Sequence, residues 1–343
     1  MRDSYKNYSN KGLTGLANLG NTCYLNACLQ TLSHTYEFNN LLNTIDFNIL
    51  KNTSKNIDKL EILIEWKNLL DLMWSKNCTI APNGFVKAIQ NYSKKTRNCF
   101  FSNFSQNDIQ EFLMFLFDAF HIGISRETNI FDVETQNNNE NDYYHMMNNN
   151  FKKEYSEIIE LFYGATYIEI TSMETNVVLS RKFQPFFVLN LSIPNKKDIN
   201  LYDCLKFHSE YEELKDDNAW LNDKTNVKEN VKKQEKIWKL PNVLIIHLKR
   251  WNYKGQKNND IIDFDLDCDF ANYITNDANI NVNYNYELYS VSNHHGGSGG
   301  GHYTSYVKNA NNKWYHFNDT NVQEISKEII VSNKAYCLFY RKK

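Results

Sequence analysis

The chain has 343 residues, 42% of them hydrophobic, and a formal net charge of −2. That is enough apolar material for a large core, and the charge balance gives no bulk attraction to nucleic acid or to an anionic membrane surface. No apolar run approaches the ~18 residues of a membrane span, and the polar opening "MRDSYKNYSNKG" has no signal-like apolar stretch. Seven scattered cysteines, an odd number set within apolar patterns, fit free thiols in a reducing compartment better than a disulfide framework. The expectation is an intracellular protein, cytoplasmic or nuclear, acting as a monomer with no nucleic acid or membrane partner.

The first half reads as helices. Leu25, Leu29 and Leu32 have helical spacing over residues 23–34. "IDKLEILIEWKNLLDLMW" (57–74) reads as a strongly amphipathic helix, and "PNGFVKAIQNY" (82–92) opens on a proline. "SQNDIQEFLMFLFDAFH" (105–121) begins with a serine followed three residues later by an aspartate, a variant capping box. The Asn-rich stretch 135–150 reads as a disordered loop insertion, and "EYSEIIELFYG" closes the helical half. The second half reads as strands: "ATYIEI", "FFVLNLSI", "NVLIIHLKRW", "YELYSVSN", "HYTSYVKN", "KWYHFND" and "AYCLFYRK". Short helices at 201–207 and 326–332 interrupt them. Helices first and strands second predict an α+β protein with two lobes and a cleft between them.

Two stretches carry candidate chemistry. In "GLTGLANLGNTCYLNACLQ" (12–30) a glycine- and asparagine-rich loop turns into a helix at Cys23. A cysteine there can be a small buried filler, but a helix N-terminus also favours a thiolate. Asn18, five residues earlier, is short enough to donate an N–H to a developing oxyanion, or else it makes turn bonds. In "NHHGGSGGGH" five glycines in six positions read as a mobile loop running into a strand that starts near His302. The strand "KWYHFND" follows after a short turn and is expected to pair with it, so Asn318 or Asp319 can reach the imidazole. Cys, His and Asn together form the constellation of papain-like hydrolases.

Both stretches resemble the boxes of the ubiquitin-specific proteases, a papain-like class of deubiquitinating enzymes. "GLANLGNTCYLNACLQ" resembles their cysteine box and "GGGHYTSYVKN…KWYHFNDTNV" their histidine box. "QNDIQEFLMFLFD", "LFYG", "LPNVLIIHLKRW" and "AYCLFYRK" resemble further blocks in the family's order. The resemblance implies a right-hand architecture over 1–343 as one catalytic domain: a helical thumb at about 12–160, then a β-rich palm and β fingers over about 161–343. It implies Cys23 as nucleophile, His302 as general base and acid, Asn18 as oxyanion donor, Asn318 as third catalytic residue and Asp319 as its acidic neighbour. It implies that Gln106, Asp108 and Glu111 meet the arginine-bearing tail of ubiquitin, with Trp251, Gly301 and Tyr303 also binding substrate. The loops 252–262 and 293–301 match the two loops that shape the tail channel. The implied partners are ubiquitin and ubiquitinated proteins. A binding module without activity would leave the filled catalytic positions unexplained, while a ubiquitin-like modifier stays open as substrate. Many relatives hold the fingers with zinc on paired C-x-x-C motifs; this chain has none, which predicts no metal and no cofactor.

Overall fold

The computed structural model describes residues 3–96, 101, 103, 105–275, 282–297 and 300–343. The first lobe is built from α-helices: Cys23–Ser33 (α1), Tyr36–Thr44 (α2), Phe47–Thr53 (α3), Ile57–Ser75 (α4), Asn83–Lys95 (α5), Ile109–Gly123 (α6), Asn138–Phe151 (α7) and Glu157–Phe162 (α8). Leu201–His208 (α9) lies among the strands that follow. Every residue of α1 is buried. A helix buried all round needs no polar face, so the strong amphipathic signature expected of a surface helix is absent from it.

Two short strands sit in the helical lobe, Gly15–Leu16 (β1) and Thr79–Ile80 (β2), and pair in parallel. The rest follow in chain order: Gly164–Ser172 (β3), Val178–Phe186 (β4), Val188–Ser192 (β5), Tyr211–Leu214 (β6), Trp220–Asn222 (β7), Val227–Glu229 (β8), Val231–Lys239 (β9) and Val243–Lys249 (β10). Asp267–Asp269 (β11), Asn285–Gly297 (β12), Gly300–Lys308 (β13), Trp314–Asn318 (β14), Asn321–Ile325 (β15) and Ala335–Lys342 (β16) complete them. An eight-stranded sheet runs β15-β14-β13-β12-β16-β10-β5, with β11 added on β12. A four-stranded sheet, β4-β3-β9-β6, and the ribbon β7-β8 form the rest.

One apolar core joins the helical lobe to the large sheet: Leu29, Trp66, Phe112 and Phe117 from helices meet Ile245, Tyr289 and Phe339 from strands. A second core, with Leu191, Leu248, Tyr286 and Leu338, fills another part of the sheet. Docking α1 against β13, β12 and β14 brings the cysteine stretch to the histidine strand.

Four expectations are corrected. Residues 138–151 are a helix, not a disordered loop. Asn137 caps it, accepting from the Asn139 and Glu140 amides at 2.9 and 3.4 Å. Tyr143, Met146, Met147 and Phe151 are its buried residues, and they pack with Tyr167, Phe183 and Trp238. Those four positions keep helical spacing, and burying them offsets the weak helix propensity of asparagine. The helix expected from Ser105 starts at Ile109, because Asp108 is the cap: its Oδ1 accepts the Gln110 amide at 2.7 Å. The glycine-rich segment is an extension of the β12–β13 hairpin, with His295 opposite His302, Gly296 opposite Gly301 and Gly297 opposite Gly300. Ser298 and Gly299, part of the expected loop, lie outside the described residues. The short helix expected at 326–332 is a single 3₁₀ turn at Lys327–Ile329.

All the described cysteines are free thiols. Among the described residues no helix is long and apolar enough to cross a membrane, and no cluster of three or more His, Cys, Asp or Glu side chains is arranged to hold a metal.

Candidate active site

Cys23 is the first residue of α1 and is 4% exposed. The loop before it is fixed by Asn18, whose Oδ1 accepts from the Gly20 amide, the Thr22 amide and the Thr22 hydroxyl at 3.0, 3.1 and 3.2 Å. Asn18 therefore does make turn bonds. Its Nδ2 is a separate resource: it donates to Asp319 Oδ2 at 3.0 Å, which leaves its second hydrogen for another acceptor. Burial pushes the Cys23 thiol above its ordinary value of 9.0, and the Asp319 charge acts in the same direction. The backbone amides of Tyr303, Tyr24 and Cys23 itself pull it down. The helix N-terminus thus acts as expected, but desolvation outweighs it. Cys23 is accordingly a thiol at neutral pH in the free protein. Its alkylation by iodoacetamide, read against a Cys23→Ala blank, will rise with pH and gain most of its rate above about pH 9. A plateau already reached at pH 6–7 would show a standing thiolate instead.

His302 lies on β13, immediately before the Tyr303 amide that faces the Cys23 sulfur. Its Nε2 is 2.7 Å from Asn318 Oδ1 at the end of β14. An amide oxygen only accepts, so Nε2 carries a hydrogen, and in the neutral ring the lone pair is then on Nδ1. Strands β13 and β14 pair from Ser305–Phe317 to Lys308–Trp314, as expected for that hairpin.

Asp319 does something else. It sits at φ +49° in the tight turn between β14 and β15, a backbone region that Asp tolerates. There its Oδ1 accepts from Asn26 Nδ2 at 2.7 Å and its Oδ2 from Asn18 Nδ2. The Asp319 carbonyl accepts the Leu16 amide at 2.9 Å. A Cβ on Gly15 would stand 2.4 Å from the Thr320 carbonyl oxygen, so only glycine lets this turn dock on β1. The cysteine loop and the histidine hairpin are thus joined backbone to backbone.

A cleft of about 230 Å³ opens beside Cys23 and is lined by Gln106, Asp108, Trp251, Gly301 and Tyr303 among others. Five of the six expected substrate-binding residues are therefore brought together. Glu111, exposed on the first turn of α6, is not part of that lining. Gln106 bridges to the hairpin: its Oε1 accepts the Gly301 amide at 3.3 Å and its Nε2 reaches the Gly301 carbonyl at 3.5 Å. Trp251 is placed by its neighbour Arg250, a buried guanidinium that donates to the carbonyls of Ala335, Asn258 and Asp260 at 2.7, 3.2 and 2.9 Å. Lys257 Nζ ties the same loop to the His294 carbonyl at 2.7 Å.

Sequence reasoning missed Asn26, His294 and Tyr336. Asn26 is a buried polar residue in an otherwise core-facing helix, a signal that needed the three-dimensional partner to be read. His294 lines the cleft, and a Cβ on Gly301 would come within 2.3 Å of its Nε2. That close approach is why glycine stands at 301.

A family model described as ubiquitin carboxyl-terminal hydrolase matches residues 14–340. The chain belongs to the ubiquitin carboxyl-terminal hydrolase family. Ubiquitin carboxyl-terminal hydrolase 2 of Gallus gallus is 33% identical, covering 96% of this chain and 93% of that protein. The Bos taurus protein of the same name is 31% identical over 99% of this chain but 56% of its own length. Usp2 of Drosophila melanogaster is 32% identical over 99% of this chain and 36% of its own. The chain thus spans about half, or less, of those two longer relatives. Among solved structures, the SAGA Ubp8/Sgf11/Sus1/Sgf73 DUB module bound to ubiquitin aldehyde matches with a TM-score of 0.75 and 26% identity, covering 98% of this chain and 70% of that one. The module bound to monoubiquitin matches at 0.74 and 25%, covering 100% and 71%. The α+β architecture of this family, with helical thumb, β-rich palm and β fingers, is the one described above.

Proposed function

We propose that this protein is a thiol-dependent deubiquitinase that hydrolyses the isopeptide bond after the C-terminal glycine of ubiquitin. The observation that carries the reading is Cys23 in a cleft with the Tyr303 amide on its sulfur, the neighbouring His302 bonded to Asn318, and Asp319 bonded to Asn18 of the cysteine loop. Family membership and the ubiquitin-bound neighbours supply the substrate class.

In this mechanism His302 Nδ1 takes the Cys23 proton as the sulfur attacks the glycine carbonyl. Burial favours the protonated thiol on Cys23, so its proton leaves as the attack proceeds. The oxyanion that forms is met by the free hydrogen of Asn18 Nδ2 and by backbone amides at the start of α1. His302 then gives its proton to the departing lysine amine, leaving a thioester on Cys23. Water, activated by the same imidazole, releases ubiquitin. Asn318 holds the ring in the Nε2–H tautomer throughout. The free thiols and the balanced surface charge fit a protein working inside the cell on ubiquitinated proteins, as a monomer and without a cofactor.

Ubiquitin carrying a C-terminal electrophile tests the reading. Incubation is expected to add one ubiquitin mass to the protein, at Cys23 by peptide mapping, and the protein is expected to cleave a C-terminal ubiquitin amide. Labelling by a ubiquitin-like probe in place of ubiquitin would move the substrate to that modifier. No labelling by either would end the proposal.

A further inference from the structure

We propose that Asp108 is a positioning residue: its carboxylate ties the start of α6 to Tyr303 and Tyr336 and so holds the Tyr303 amide against the Cys23 sulfur. The inference rests on the reading of Cys23 as nucleophile.

The Asp108 carboxylate takes three donors from three elements. Oδ1 accepts the Gln110 amide at 2.7 Å, and Oδ2 accepts the hydroxyls of Tyr336 on β16 and Tyr303 on β13 at 2.7 and 3.1 Å. A carboxylate offers about four acceptor positions, so most of its capacity is spent inside the protein. Tyr303 and Tyr336 are 7% and 2% exposed. Burial, reinforced by the Asp108 charge, raises both phenols well above their ordinary value, so both remain donors across the neutral range. Bonds of this kind, neutral hydroxyl to a half-buried carboxylate, are the stronger charge-assisted sort.

The strand that needs holding is the weakly anchored one. From Gly300 to Thr304, β13 pairs with β12, whereas its pairing with β14 begins only at Ser305. Gly300 and Gly301 have no side chains with which to pack. His302 and Tyr303 sit in this stretch, and Tyr303 carries the amide that opposes desolvation of the Cys23 sulfur. From the helical lobe α1 packs on it, the exposed Gln106–Gly301 contact reaches it, and Asp108 and the Ile109 backbone hold the Tyr303 hydroxyl away from solvent. The same carboxylate holds Tyr336, which also bonds to the cleft residue Trp251. Asp108 thus fixes the gap between the two lobes at the point where nucleophile and base must meet. A misplacement of about 1 Å at such a point costs about a hundredfold in rate.

A role confined to attracting the basic tail of the substrate makes a different prediction, and the double variant Tyr303→Phe/Tyr336→Phe separates them. It keeps the Asp108 charge, the α6 cap and both rings, and removes the tie together with the bonds of the same two hydroxyls to the Ile109 backbone and to Trp251. Its kcat on a C-terminal ubiquitin amide is expected to fall about ten- to a hundredfold, with KM within about twofold of the parent. Iodoacetamide alkylation of Cys23 at fixed pH is expected to slow severalfold, because the sulfur loses a well-placed amide donor. Asp108→Asn, which keeps the cap acceptor and can donate to a tyrosine oxygen, is expected to retain more kcat than the double variant while raising KM. Melting temperatures establish that each variant is folded, and Tyr303→Phe alone serves if the double variant is not. An unchanged alkylation rate, or a loss confined to KM, overturns the tie. Slower alkylation in a protein that cleaves no ubiquitin amide would uphold the tie and end the proposed activity instead.

Discussion

Cys23→Ala is expected to lose ubiquitin amide hydrolysis by at least about 10⁴-fold, the scale on which removing a triad nucleophile acts. The thiol supplies the only covalent bond the protein makes to substrate in the proposed mechanism, and neither His302 nor Asn18 can replace it. The change should be mild for the fold. Cys23 begins its helix, the α1 backbone is unaltered, and alanine is the best helix former. The melting temperature should therefore stay within a few degrees, and a C-terminal ubiquitin electrophile should no longer add mass. Cys28→Ala is the matched control. Its thiol is fully buried in the core, with its ionisation pushed well above the ordinary range, so it is chemically silent. It should lower stability slightly and leave kcat and labelling intact. Substantial turnover by Cys23→Ala would remove the thioester route altogether.

The helices-then-strands order was legible in the sequence because hydrophobic periodicity is local, although α2, α3 and strands such as β4 and β9, rich in polar residues, went unread. The strands from "ATYIEI" to "AYCLFYRK" appear where β-branched and aromatic alternation placed them, and the long helix at 57–75 appears nearly residue for residue. The misreadings share one physical origin. In 138–151 the apolar spacing of Tyr143, Met146, Met147 and Phe151 was present, but asparagine density outweighed it; the strands it packs on supply the missing stability. Glycine ahead of His302 was taken as mobility, whereas at the described Gly296 and Gly301 it is close approach. Gly301 leaves room for His294, and Gly296, at φ +101°, allows the hairpin its bend. Asp108 showed the same limit. Its sequence context offered a cap or a tail contact, and the structure adds two tyrosine hydroxyls from strands almost two hundred residues or more away.

Asn318 and Asp319 are neighbours in sequence with separate tasks in space, and replacing each in turn should show it. Asn318→Ala removes the acceptor for His302 Nε2–H, which loosens the ring and its tautomer but leaves the base chemically intact. A loss of about tenfold in kcat is expected, the scale of one ordinary hydrogen bond. Asp319→Gly is expected to cost more, about a hundredfold or beyond. It releases Asn18 Nδ2, the proposed oxyanion donor, together with Asn26, and removing one such donor costs about 10²–10³ in kcat. Glycine is the right replacement, because φ +49° would strain alanine and confuse backbone with carboxylate effects. The electrostatic effect runs the other way. Asp319 raises the Cys23 thiol's pKa, so its removal should favour the thiolate and speed iodoacetamide alkylation at neutral pH. Faster alkylation beside slower hydrolysis is thus the signature of a carboxylate that orients the oxyanion donor at some expense to the nucleophile. If alkylation and hydrolysis both fall, Asp319 serves the imidazole instead. If Asn318→Ala proves the costlier change, the division of labour between the two residues is wrong.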